Sequence, residues 1–354
     1  MKKQLVILCG LWLSAHSVAA ERVLRVYNWV DYLPPLVIEQ FTAETGITVD
    51  YSTYTSNEEM LDTLRSLQQP SNPTKPYDLV VPSNYYISRM AREDLLTRLD
   101  HEKLTNFKHL DRQLLNKAYD PDNQYSVPYL WGTTGIGVTP AVPPGSISRW
   151  ADLWKPEFKD SLLLLDDMRE VMGIGLLVLG YSVNDTDPVH IEQAYDKLRE
   201  LMPNVRVFDA TSPKTRLLAG EVKAGMVWNG EAYIANQERP GAVTYVYPAE
   251  GVSLWIDNLA IPAQAANVAD AHLLINFLLR PEIAQQITEA VGYASPNLSA
   301  VKQLSPALSS NRTIYPRAAD LSKAHIQQAV GEALPIYEKF WQRLMAPPTA
   351  TPSP

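Results

Sequence analysis

The sequence predicts an α/β protein of two lobes built on parallel, helix-covered sheets. Three observations lead there. Strand and helix patterns alternate β-α-β-α-β between Leu24 and Val81, an order that requires crossover helices over a parallel sheet. The same grammar returns between Asp187 and Ala290. The chain has 354 residues, of which 46% are hydrophobic, enough to fill two cores of ordinary size.

The elements follow in order. Residues 1–20 are set apart: Lys2 and Lys3 precede an apolar run from Leu5 to Leu13, and small residues close the segment at Ala19 and Ala20. That is the grammar of a cleavable secretory signal, and the run is too short to cross a bilayer. Cys9 is the only cysteine and lies inside the run, behind Leu8, where a lipoprotein would need a small residue. Cutting after Ala20 removes two lysines and no acids, which moves the net charge from −8 to −10. The exported chain then has no disulfide, thiol nucleophile or thiolate ligand. Its acidic balance speaks against nucleic acid and mildly for cationic partners.

Leu24–Tyr27 reads as a strand, and 35–45 as a helix stopped by Gly46. Ile47–Tyr51 is a second strand. Ser56-Asn57-Glu58-Glu59 has the form of a capping box and opens a helix through Leu67. After a Pro-rich loop, 78–81 is a third strand. Downstream, Asp187-Pro188 starts a helix with Ile191, Ala194, Tyr195, Leu198 and Leu201 on its apolar positions. Val205–Phe208 and 225–228 are strands. Residues 269–279 form a very apolar helix, broken at Arg280-Pro281 and resumed over 283–290. Residues 335–344 are a last helix, and the Pro/Thr/Ser-rich tail 346–354 is expected to be disordered. Residues 132–136 and 253–261 are the candidate strands joining the lobes. The expected division is 21–132 plus 257–305 for the first lobe and 133–256 plus 306–345 for the second.

Parallel sheets bind ligands at the carboxyl ends of their strands. Trp29, Asp31 and Tyr32 stand at such an end, just before Pro34-Pro35. So do Ser83 and Tyr85 after 78–81, Asp167 after the apolar run Leu162–Leu165, and Trp228. Trp255 and Asp257 alternate, so a strand turns both to one face. Tyr293 follows Gly292. Asp167 and Glu170 share one face of a helix's first turn, where they would serve equally to complement the helix dipole. Repetition of aromatic and acid at separate strand ends suits a ligand both cationic and aliphatic. Aromatic faces attract ammonium groups by roughly 0.5–2 kcal/mol each and cover methylenes at about 0.8 kcal/mol per CH₂. A diamine or triamine has that chemistry; a sugar would stack on the rings but needs more amide and hydroxyl partners.

Enzyme motifs are missing: there is no GxxxxGK[ST], HExxH or GxSxG, and the six histidines are scattered. Three other readings stay open on residues alone. Paired carboxylates would allow a glycosidase, Tyr85-Tyr86 an exported iron-binding protein, and the aromatic strand ends an oligosaccharide-binding protein. In alternating strand geometry, however, neighbouring tyrosines point apart.

The stretches YNWVDYLPP, TYTSNE, YDLVVPSNYY, VPYLWGTTGIGV, WADLWKPEFK, LLLLDDMREV, GMVWNG, INFLLRPEIA and GYASPN together resemble the periplasmic spermidine/putrescine-binding proteins of polyamine ABC transporters, over nearly the whole chain from Val23 to about Leu344. The resemblance implies a two-lobed periplasmic binding-protein fold of type II, closing over its ligand. It implies delivery to an inner-membrane permease, monomeric action, and no cofactor or catalytic residue. It places an aromatic box at Trp29, Tyr32, Tyr85, Trp228, Trp255 and Tyr293, acids at Asp31, Asp167, Glu170 and Asp257, and polar contacts at Ser83 and Gln327. Gln327 enters through the resemblance alone; by pattern it reads as ordinary helix surface. The chain departs from its relatives at Val30, where they often carry a hydroxyl, and at Asp31, where spermidine-preferring relatives tend to carry Glu. The loop 69–76 and the tail also look longer than usual.

Overall fold

A computed structural model describes residues 22–69 and 71–346. The expected signal segment and the tail beyond Ala346 lie outside the described residues. In chain order the main elements are β1 (Arg22–Trp29), α1 (Pro35–Thr45), β2 (Ile47–Tyr54), α2 (Asn57–Leu67), β3 (Leu79–Val80), α3 (Asn84–Arg92) and β4 (Ser126–Val138). They continue with β5 (Leu162–Leu164), α4 (Met168–Val178), α5 (Pro188–Leu201), β6 (Val205–Phe208), α6 (Pro213–Leu218), β7 (Ala224–Trp228) and α7 (Asn229–Glu238). Then come β8 (Thr244–Val246), β9 (Ser253–Ala260), α8 (Val268–Leu278), α9 (Pro281–Val291), β10 (His325–Ile326) and a C-terminal helix, Leu334–Met345.

Local chemistry sets these boundaries. α1 begins on Pro35, whose fixed φ suits a first helical turn, and ends at Gly46 (φ 68), whose N–H bonds the Thr42 carbonyl at 2.8 Å. The Ser56 hydroxyl accepts the Glu59 N–H at 3.1 Å. The return bond expected of a capping box shifts by one residue: the Glu59 carboxylate accepts the N–H of Thr55, not of Ser56. Asp187 caps α5 by accepting the Val189 N–H. Pro281 cannot continue α8 and starts α9.

The strands run β2-β1-β3-β9-β4-β7-β5-β6, with β10 on β9 and β8 on β4. β1 is parallel to β2 and β3, and β5 is parallel to β6 and β7. Between these parallel sets lie β9 and β4, antiparallel to each other and to their outer neighbours. The expected all-parallel sheets are therefore joined by an antiparallel pair, within the two segments picked out as lobe connectors. β4 pairs with β9 from Ser126 to Thr134 and with β7 from Thr134 to Val138.

Period-two alternation sends side chains to opposite faces. Leu24 and Val26 join one core with Val37, Phe41, Leu274 and Phe277, while Tyr27 joins Met60, Leu61 and Met90 on the other face. Likewise Leu162 and Leu164 pack with Val171, Leu198 and Phe340, and Leu163 with Leu217 and Val227. Each fully buried side chain of this kind contributes about 1.5–3 kcal/mol. The cores on either side of the β4–β9 pair are separate, so the strand ends between them border a cleft.

Candidate ligand-binding site

One cavity of about 350 Å³ lies in that cleft, and all twelve residues singled out from the sequence line it. The last residue of β1 supplies Trp29, and the turn after it Asp31 and Tyr32. Asp31 takes a left-handed conformation (φ 54), one that Asp tolerates better than most residues, and Pro34-Pro35 then starts α1. A strand end and a proline-started helix thus hold this loop from both sides. The Trp29 Nε1–H donates to the Val81 carbonyl at 2.9 Å, and its ring tilts over Tyr54 with centroids 4.6 Å apart.

At the centre, the Asp257 carboxylate accepts the Ser83 hydroxyl at 2.6 Å and the Tyr32 hydroxyl at 2.7 Å. Ser83 precedes α3 at its N-cap yet makes no capping bond; its hydroxyl serves the site instead. Asn57 fixes that hydroxyl and Tyr85 together, donating to each at 3.1 Å. Trp255 and Tyr293 meet edge to face at 5.2 Å, with Tyr32 5.4 Å from Tyr293. Two glycines make room for these rings. A Cβ on Gly132 would reach 2.5 Å from Trp255 Cζ2, and one on Gly230 would overlap the Tyr293 ring.

At the inner end, Asp167 is the N-cap of α4 and accepts the Glu170 N–H at 3.0 Å. Glu170 accepts hydroxyl bonds from Thr134 (2.8 Å) and Ser253 (3.4 Å). Gln327 donates to Ser253 Oγ at 2.9 Å. Gln327 is not helix surface: it follows β10, its N–H bonds the Leu254 carbonyl, and it is 2% exposed. Its pattern was that of a helix because pairing with β9 is a long-range event. Tyr85 and Tyr86 likewise sit in the first turn of α3 rather than on a strand. Tyr85 lines the cleft, and Tyr86 donates to Glu58 at 2.7 Å.

Burial dominates the electrostatics. It pushes the Asp257 carboxyl up to about 6, against the bonds from Ser83 and Tyr32 that favour its charge. Burial also raises Asp167, helped by the Glu58 charge, and raises Glu170, helped by Asp167. Arg169, itself 3% exposed, stabilises both charges from behind. It donates to the carbonyls of Gln328 and Val183 and stacks 5.3 Å over Tyr85. An array of buried acids faced by aromatic rings favours a cationic guest, which restores the charge lost to desolvation. Sequence reasoning missed Asn57, Thr211, Lys214 and Glu231 in the wall. Asn57 looked like part of a cap, and the others carried no strand-end signal.

Residues 37–315 match the family model of the bacterial extracellular solute-binding proteins. This chain belongs to that family. Among the members it resembles is the spermidine/putrescine-binding periplasmic protein of Salmonella typhimurium, 50% identical over 95% of both chains. A Haemophilus influenzae protein of the same description is 43% identical, covering 93% of this chain and 91% of its own. In structure, this solute-binding chain is similar to a Listeria monocytogenes protein described as a spermidine/putrescine ABC transporter. The TM-score is 0.86 at 39% identity, over 91% of this chain and 98% of that one. The two-lobed binding-protein fold is thereby shared. No helix among the described residues is long and apolar enough to cross a membrane.

Proposed function

We propose that this chain is a periplasmic receptor that captures spermidine or putrescine and delivers it to the inner-membrane permease of an ABC transporter. The observation that carries the reading is the row of carboxylates, Asp167 and Glu170, then Asp257, then Asp31, along one aromatic-walled cavity. The names of its near relatives support the same ligand class. Export through the segment 1–20 and monomeric action belong to this reading. So do lobe limits of 21–132 plus 257–305 and 133–256 plus 306–345.

Asp167 and Glu170 take one terminal ammonium, with Gln327 beside them. Asp257, between Trp228 and Trp255, takes the next amine at the centre. Asp31 meets the far ammonium of a triamine. Seven methylenes of spermidine contribute roughly 5–6 kcal/mol when buried, while charge pairing sets register and selectivity. A ligand touching both lobes favours the closed state that a permease can recognise. The ligand leaves chemically unchanged.

Titration calorimetry on the chain from residue 21 tests this. Saturable binding of putrescine or spermidine is expected, with the polyamine recovered intact by mass spectrometry. Failure of both, with iron or an oligosaccharide binding instead, overturns the reading; so does a new product.

A further inference from the structure

The inner end of the cleft holds a cation as well as two acids. Arg169 lies in the first turn of α4, between Asp167 and Glu170 in sequence, and is buried. Its guanidinium is spent on neutral groups. It donates to the carbonyls of Gln328 (3.0 Å) and Val183 (3.3 Å) and to Asn184 Oδ1 (3.2 Å), and its Nε finds no acceptor among the described residues. Its Cζ lies 5.3 Å from the ring centres of both Tyr85 and Tyr337. Tyr85 follows β3 in the first parallel set and α4 follows β5 in the second, so the contact with Tyr85 spans the cleft. Asn84, beside Tyr85, holds the Gln327 carbonyl at 2.6 Å, and Arg169 holds the next one along.

A buried charge without a hydrogen-bonded counter-ion is costly. Here the counter-charge acts through space: Arg169 is the cation that opposes the upward push of burial on both Asp167 and Glu170. The other titratable groups that interact with these three bring no positive charge. They are Glu58 on α2, Tyr85 on α3, Tyr245 on β8, Asp257 on β9 and Tyr337 on the C-terminal helix. Two carboxylates and one guanidinium leave a single net negative charge. We propose that Arg169 is the resident cation of the inner subsite, a positioning residue that fits the acid pair to one ligand ammonium and no more. The inference rests on the polyamine reading above. In the empty receptor one proton takes the place of that ammonium, and the pair titrates in two separated steps. An arginine that only held carbonyls and rings in place would alter affinity by the same factor at every pH.

The test is calorimetry with putrescine and with spermidine on wild type, Arg169→Gln and Arg169→Lys, from pH 5.5 to 8 in buffers of unlike ionisation enthalpy. Loss of an opposite charge that is near but not hydrogen-bonded raises a carboxyl by about one unit. The affinity–pH curve of Arg169→Gln is therefore expected to move up by about one unit, about tenfold in Kd along its rising part, with more protons released per ligand at pH 8. Arg169→Lys restores the charge without the planar fork, so its curve should keep the wild-type position even where its affinity is lower throughout. Carboxyl carbon shifts of Asp167 and Glu170 in the empty wild type should show one proton on the pair at pH 7. An undisplaced glutamine curve, a lysine curve displaced like it, or two protons or none on the wild-type pair overturns the proposal. The wild-type proton count decides alone if the glutamine variant does not fold. Wild type binding neither polyamine defeats the receptor reading and this inference together. Wild type binding them, with the Arg169→Gln curve undisplaced, defeats this inference alone.

Discussion

At the inner end of the cleft, Glu170 accepts two hydroxyl bonds, Ser253 is held in turn by Gln327, and Arg169 backs the pair from a buried position. At the outer end, Asp31 stands exposed on a left-handed turn next to Val30, and Glu231 faces the cavity without an ion pair among the described residues. The inner end and centre are a connected polar network in low dielectric, where each bond strengthens the others and a missing partner is costly. Asp31 is exposed, so its charge is screened more than those of the buried groups, while Glu231 is half-buried. On the proposed reading, the buried groups should therefore set affinity more than the exposed mouth does.

The largest effect should come from the centre. Asp257→Asn removes a buried charge while leaving a side chain that still accepts a hydroxyl bond. A loss of about 2–5 kcal/mol is expected, thirtyfold or more in Kd for both polyamines, with the fold retained. Calorimetry showing unchanged affinity would remove Asp257 from the site and break the comparison.

Next comes pH. Without ligand, Asp257 holds a proton up to about 6 because it is buried; a bound ammonium lowers that value and expels the proton. Affinity should therefore rise from pH 5 to pH 8, with proton release seen as a buffer-dependent binding enthalpy. The stability of the empty protein should run the other way. A folded pKa above the usual 3.8 means the native state binds more protons than the unfolded one. The resulting stability is full below about pH 4 and is lost as pH rises through about 6. Thermal unfolding at pH 4.5 and 7.5 should show this trend in wild type and a weaker one in Asp257→Asn. An identical trend in both would mean the carboxylate is not desolvated.

The smallest effect belongs to the outer end. Val30→Thr adds a hydroxyl at the cavity edge, where one more hydrogen bond is worth about 0.5–1.5 kcal/mol before water competes. Spermidine should bind about two- to threefold tighter, with putrescine unaffected. No change in either affinity or preference would mean that position 30 only shapes the turn.

Much of this was legible in the chain. Helix starts at Pro35, Ser56 and Asp187, and the break at Pro281, were readable because caps and prolines act within a few residues. The strand-end residues were readable because strand ends, aromatics and acids coincided repeatedly. Glu231 and Asn57 were not: each sits in a helix's first turn, where its type has an ordinary local explanation. Gln327 carried no local sign at all, since its place depends on β10 joining β9, over seventy residues away in sequence. Gly132 fell in an expected strand and Gly230 just past one, and only the rings packed against them show why no Cβ fits.

The sequence by itself determined the alternation of strands and helices, the apolar faces that make the cores, and the chemistry of the guest, because periodicity, caps and residue type are local properties. Tertiary structure decided which strands lie side by side, the antiparallel β4–β9 junction, and the meeting of Asp31, Asp257 and Glu231 around one cavity. The β4–β9 junction and the meeting of Asp31 with Asp257 depend on closing loops of more than a hundred residues, and no short-range pattern encodes which distant partners a closed loop will bring together.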